Sequence, residues 1–246
     1  MHVPDLGLDA AHIDDRTART LSEAGSLLRD RKIEVLTDII RERIAAPICR
    51  LLVVGCGSGK EAAVLAVELG TEVVGVDLED TFHPTAVTVV DLRRGDATCL
   101  EFADQSFDFV FSFHVLEHIP NYTKALDEMR RVLRDGGAYC IGTPNRLRLA
   151  GYLGCPEVSY REKLEWNVVD WKARLRGQFR NEFGAHAGFS SAELRAALEQ
   201  VFSRTEEITL PYYLDLYRNY SRLTILLGKL GLDRFVFPSV YFLGRK

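Results

Sequence analysis

Two short runs hold residue types at spacings that could do chemistry. Gly55-Cys56-Gly57-Ser58-Gly59 closes the apolar run RLLVVG (50–55), and Asp77 stands 22 residues beyond Gly55. Alternate glycines let a backbone turn tightly and approach a ligand closely, and the helix expected next presents its N-terminus to that ligand. The second run is HVLEH, with His114, Glu117 and His118 at spacings of three and four, which put all three on one face if the turn is helical.

The glycine run suits three kinds of ligand unequally. A phosphate-gripping G-x-x-x-x-G-K-[ST] loop would need glycine at Val54 and a hydroxyl at Glu61, whose charge would repel phosphate, so that ligand is excluded. A dinucleotide loop needs G-x-G-x-x-G, and its third glycine falls on Lys60. A nucleoside without a pyrophosphate needs only close backbone packing and an acid for its ribose hydroxyls, a role open to Asp77 at the end of the second strand. The plainer alternative for Asp77 is a helix cap or turn residue.

Three readings of HVLEH compete. Glu117 and His118 can orient a loop; His118 or His114 can act as a general base near neutral pH; or the cluster can bind a divalent metal. His-x-x-Glu-His matches a zinc-peptidase spacing, but such a site needs a long helix, and this run follows a strand.

These runs need a scaffold, and the pattern supplies one. Ile33, Leu36, Ile40 and Ile44 predict an amphipathic helix over 30–45, and Ala62, Leu65, Ala66 and Leu69 predict another, ended by Gly70. Apolar runs at 50–55, 72–77 (EVVGVD), 86–91 (AVTVVD), 107–113 (FDFVFSF) and 138–143 (AYCIGT) read as strands buried in a sheet. A helix is expected over 121–133, and Ser190-x-x-Glu193 is a capping box that opens another. Strands near 205–210 and at 239–243 bring the total to seven. The expected fold is α/β: a Rossmann-like, doubly wound seven-stranded sheet with helices on both faces and the last strand antiparallel. The expected division is an arm (1–29) and one domain (30–246), with 146–187 inserted as a lid on the acceptor side and 212–246 as a C-terminal addition.

Composition narrows the class. The chain has 246 residues, 47% hydrophobic and 27% charged, a globular composition. Its five cysteines form no C-x-x-C pair and its first residues are acidic, so a reducing cytoplasm is expected, with neither export signal nor membrane span. The net charge of −4 conceals an acidic body with two basic segments: residues 1–145 carry 24 acids and 15 bases, while 146–180 and 212–246 are each net +4. The basic segments are solvated surface or meet an anionic partner. No continuous basic face is evident, so nucleic acid is not expected.

LLVVGCGSGKEA (51–62), EVVGVDLED (72–80), the run from Gly95 to Asn145 and GFSSAEL (188–194) together resemble a class I S-adenosylmethionine-dependent methyltransferase, closest to the ubiquinone-biosynthesis O-methyltransferase-like branch. The resemblance implies that Gly55, Cys56, Gly57, Ser58 and Gly59 flank the cofactor. It also implies that Asp77 binds the ribose, Leu78 packs on adenine, Asp96 and Ala97 meet the adenine amino edge, and Ser112 and Phe113 line the methionine arm. Many members carry an acid two positions before the first glycine, where this chain has Val53. HVLEH is similar to the E-x-x-E-H metal cluster of that branch and of small-RNA 2′-O-methyltransferases, with His114 in place of the first Glu and His186 resembling a further His ligand. The expected catalytic residues are His118, His114 and Glu117. Trp166, Trp171, Tyr152, Tyr160 and Phe179, with Arg146, Arg148, Arg174 and Arg176, either roof the acceptor or simply pack. The expected function is methyl transfer to a small-molecule acceptor, foremost at oxygen. The alternatives are N- or C-methylation of a metabolite, RNA 2′-O-methylation, a non-catalytic cofactor-binding regulator and a nicotinamide oxidoreductase.

Overall fold

The computed structural model describes residues 30–152, 158–183 and 187–246, so the expected arm (1–29), Cys155 and His186 lie outside the described residues. Helix α1 (Arg31–Arg43) begins at Asp30, whose side chain accepts from the Lys32 amide at 2.8 Å, and it buries Ile33, Leu36 and Ile40 as the spacing predicts. Strand β1 (Arg50–Val54) leads into helix α2 (Lys60–Leu69), strand β2 (Glu72–Asp77), strand β3 (Asp91–Arg94) and strand β4 (Phe107–Phe113). After these come helix α3 (Tyr122–Val132), strand β5 (Leu133–Pro144), helix α4 (Tyr160–Leu175), helix α5 (Ser191–Val201) and strand β6 (Arg204–Glu207). Helices α6 (Thr209–Leu216), α7 (Ser221–Lys229) and α8 (Asp233–Val236) precede the last strand, β7 (Ser239–Arg245).

The seven strands form one sheet in the order β3-β2-β1-β4-β5-β7-β6, with β7 antiparallel to both of its neighbours. The chain winds outward from β1 to β3, then crosses back to β4 on the other side of β1, so the winding reverses between β1 and β4. Ligands bind such sheets beyond the carboxyl ends of the strands at that reversal. Register makes the placement concrete: Val54 is level with Ser112 on one side and with Val76 on the other. The glycine run, HVLEH and Asp77 therefore emerge side by side. Residues Leu51 to Val54 are all buried, because α1, α2 and α6 cover one face of the sheet and α3 and α5 the other.

Two expectations need correction. AVTVVD (86–91) is not the third strand: Ala86–Thr88 form a 3₁₀ turn and the strand is Asp91–Arg94. The apolar pattern there reports Ala86 and Val90 packed into the core from a loop, while the strand itself is a charged sheet edge. β5 also begins earlier than 138, because Leu133 already pairs with Phe107 across a register shift. Among its described residues the segment 146–187 contributes no strand; its main element is α4, opened by the Ser159–Glu162 capping box. The expected box at Ser190 and Glu193 likewise opens α5. Among the described residues no helix is long and apolar enough to cross a membrane.

Candidate cofactor and acceptor site

The glycine run folds as a cradle. Gly55, Gly57 and Gly59 all have left-handed φ, at +74°, +50° and +79°. A Cβ on Gly55 would lie 2.0 Å from a Val115 methyl and one on Gly59 would lie 2.3 Å from Leu92, so these two glycines admit neighbours of the protein itself. A Cβ on Gly57 would meet nothing within 4 Å, so this glycine faces open space. The Gly57 amide donates to Asp77 Oδ2 at 2.7 Å, and the Glu79 amide donates to Oδ1 at 3.2 Å. Asp77 is thus partly the turn residue of the plainer reading, yet each carboxylate oxygen keeps a second lone pair beside the open cradle.

The remaining cofactor candidates cluster around it. Leu78 is 63% exposed at the end of β2, an apolar side chain with a face to cover. Asp96 accepts from the Thr98 amide and hydroxyl, which hold its carboxyl below the usual range, and Ala97 is beside it. Cys56 is buried, and burial pushes its thiol up to about 12, so it packs and does not react. Ser58 accepts the His83 amide through its carbonyl and is exposed. Ser112 is buried at the end of β4, and its hydroxyl has no hydrogen-bond partner among the described residues. An open glycine cradle, a carboxylate at its edge, an exposed apolar side chain beyond it and an orphaned hydroxyl fit a nucleoside carrying a polar arm.

HVLEH is not one helical face. His114 has φ +56°, its amide donates to the Gly142 carbonyl, and only Leu116–His118 forms a 3₁₀ turn. The β4–β5 pairing claims the His114 backbone before a helix can start. The three side chains meet different surroundings: His114 Nε2 is 3.0 Å from Ser239 Oγ, Glu117 is buried, and the His118 side chain is half exposed. Neither Glu117 oxygen has a hydrogen-bond partner among the described residues, and burial pushes its carboxyl up to about 7 despite its own amide and Arg148. His118 Nε2 lies 3.9 Å from Glu117 Oε1, close enough for an ion pair when both are charged. Among the described residues no group of three His, Cys, Asp or Glu side chains is arranged to hold a metal ion, and His186 lies outside them.

One cavity of about 440 Å³ gathers the HVLEH side chains, and its lining stops short of the glycine run and Asp77. Phe113, His114, Glu117 and His118 line it from the end of β4, and Arg148 and Tyr152 from the segment after β5. Tyr212, Tyr213, Tyr217 and Tyr241 make much of its wall. Tyr241 stacks on Phe113 at 5.3 Å, and burial raises the Tyr212, Tyr213 and Tyr241 phenols so that they stay neutral. Of the nine side chains expected to roof or pack, only Arg148 and Tyr152 reach this cavity. Trp166 packs edge-on against Tyr152, the Trp171 indole donates to the Leu149 carbonyl, and Phe179 lies buried beneath the Arg174 guanidinium. Arg174 is held by the Arg146 and Arg148 carbonyls, Arg146 by Glu193, while Tyr160 and Arg176 are exposed.

Lys32, Glu61 and the tyrosines of 212–241 line the cavity without having been singled out. The available signal was the aromatic density of YYLDLY (212–217), which shape alone converts into a wall.

Residues 52–141 match the family described as Methyltransferase domain. A probable S-adenosylmethionine-dependent methyltransferase of Mycolicibacterium smegmatis is 34% identical over 149 residues, covering 58% of this chain and 56% of that protein. The demethylmenaquinone methyltransferase of Staphylococcus aureus is 36% identical over 103 residues, covering 38% of this chain and 43% of that one. The chain thus spans about half the length of the curated relatives it matches. A phosphoethanolamine N-methyltransferase of Haemonchus contortus, solved with S-adenosyl-L-methionine, shares the fold with a TM-score of 0.55 at 19% identity, covering 94% of this chain and 58% of that one. Residues 52–141 match a methyltransferase domain, and the cradle, the strand order and the antiparallel last strand are built around them.

Proposed function

We propose that the chain transfers a methyl group from S-adenosylmethionine to a hydroxyl oxygen of a small-molecule acceptor bound in the 440 Å³ cavity. The observation that carries the reading is the pairing of half-exposed His118 with buried Glu117 on the cavity wall at the end of β4. The bound cofactor supplies an electrophilic methyl on a positively charged sulfur. Gly55, Gly57, Gly59 and Asp77 fix the nucleoside, and Ser112 and Phe113 border the arm. As the new O–C bond forms and the S–C electron pair returns to sulfur, the hydroxyl proton must leave, and His118 takes it. Glu117 does not touch the acceptor in this scheme; once ionised, above about pH 7, its carboxylate 3.9 Å away favours the imidazolium that results. His114, held against Ser239, positions the wall and is the second candidate for the base. Arg148, Tyr152 and the tyrosines beyond 211 shape the acceptor side, and the aromatic wall favours a small acceptor over a nucleic acid. The relative named demethylmenaquinone methyltransferase supports the same class of acceptor.

The test is turnover with S-adenosylmethionine and a panel of phenols, alcohols, carboxylic acids and matched amines, read as S-adenosylhomocysteine formed. Oxygen acceptors are expected to turn over, and His118→Ala to lower that rate by about 10² or more while leaving cofactor affinity unchanged. Turnover confined to amines, or an undiminished rate in the variant, would remove oxygen as the target or His118 as the base.

A further inference from the structure

The cavity has two charged residues on its glycine-loop side that the proton-transfer scheme does not use. Glu61 is the second residue of α2, directly beyond the cradle, and Lys32 is the second residue of α1; both line the cavity that holds Phe113 and His114. The strand beneath the loop offers no charge there, because Leu51, Leu52, Val53 and Val54 are all buried and apolar. The amino-acid arm of S-adenosylmethionine ends in an ammonium and a carboxylate, and a partly enclosed site that takes it needs one group of each sign.

We propose that Glu61 binds the ammonium and Lys32 the carboxylate of the cofactor's amino-acid arm. The inference rests on the methyltransferase reading and adds to it the two residues that distinguish the whole cofactor from its nucleoside. The local electrostatics fit an acid awaiting a cation. Burial and the like charge of Asp30 push the Glu61 carboxyl up to about 7, and the nearby Lys32 offsets them only in part. A ligand ammonium would supply the missing positive charge and hold Glu61 ionised. Phosphate ligands are excluded from this end of the loop by the same carboxylate, in keeping with the failed P-loop pattern.

Calorimetry with two probes tests it: S-adenosylhomocysteine, which keeps the arm, and 5′-methylthioadenosine, which lacks it. Glu61→Gln is expected to weaken S-adenosylhomocysteine about 10-fold to 100-fold, the scale of a charge-assisted hydrogen bond, and to leave 5′-methylthioadenosine unchanged. Lys32→Met is expected to show the same selectivity. The uncharged Gln is isosteric at a site that disfavours charge, so a folded variant is expected, and circular dichroism checks it. If wild type binds both probes and the variant loses neither, or loses both equally, the assignment of Glu61 is overturned while the methyltransferase reading stands. If wild type binds neither probe, both are overturned.

Discussion

Replacing Glu117 by glutamine should stabilise the protein at alkaline pH while harming its chemistry. A glutamate ordinarily ionises near 4.5, whereas this one is pushed up to about 7 by burial. Between those values the unfolded chain has released the proton and the folded chain still holds it, so folded protein binds more protons and stability falls as pH rises. The loss starts near pH 4.5, is complete above about pH 7, and at 1.36 kcal/mol per unit amounts to roughly 2–3 kcal/mol between pH 5 and pH 8. Glu117→Gln keeps the shape and removes the titration, so its stability relative to wild type should rise by roughly 2–3 kcal/mol over that interval. Glu61 titrates in the same range but is common to both proteins and cancels in the difference. Urea denaturation followed by circular dichroism at pH 5 and pH 8 reads this directly. A difference between variant and wild type that does not change with pH would refute the claim that Glu117 is held neutral by burial.

Asp77→Ala should weaken S-adenosylhomocysteine binding by about 2 kcal/mol, roughly 30-fold, by removing a charged acceptor pair at the cradle's edge, and calorimetry at constant ionic strength measures it. Gly55→Ala and Gly57→Ala should separate by stability. The first combines left-handed backbone with a Cβ 2.0 Å from Val115 and should cost about 2–5 kcal/mol, while the second meets only open space and should cost about 1–2 kcal/mol. Thermal or urea unfolding of the two variants side by side tests the order, and equal losses would contradict it.

Much of the scaffold was legible because burial on both faces leaves a continuous apolar run. EVVGVD and FDFVFSF became strands over the residues the pattern marked, and the S-x-x-E signal at 190 caps a helix. The pattern failed where apolar residues serve a loop: Val87 and Val90 look like strand residues, yet the strand is the charged edge segment after them. The glycine run and Asp77 were legible because backbone geometry demands glycine at positive φ, which leaves a mark in the sequence. The HVLEH turn was only half legible. Spacing suggested a shared helical face, but sheet pairing at His114 delays the turn by two residues, and the three side chains share a cavity wall instead. Lys32, Glu61 and Tyr212 join the cavity only through the packing of α1, α2 and α6, a long-range arrangement with no local period to betray it. The arginines of 146–176 show the converse: a basic cluster that suggested an anionic partner is largely engaged with backbone carbonyls and with Glu193 and Asp170.

The most direct test of the account is calorimetric titration of the whole chain with S-adenosylmethionine and S-adenosylhomocysteine. Micromolar binding of both, weakened by Asp77→Ala, is the result predicted by a cradle built for a nucleoside with an amino-acid arm. No binding of either, with NAD(P)H binding in their place or with no nucleotide bound at all, would contradict it.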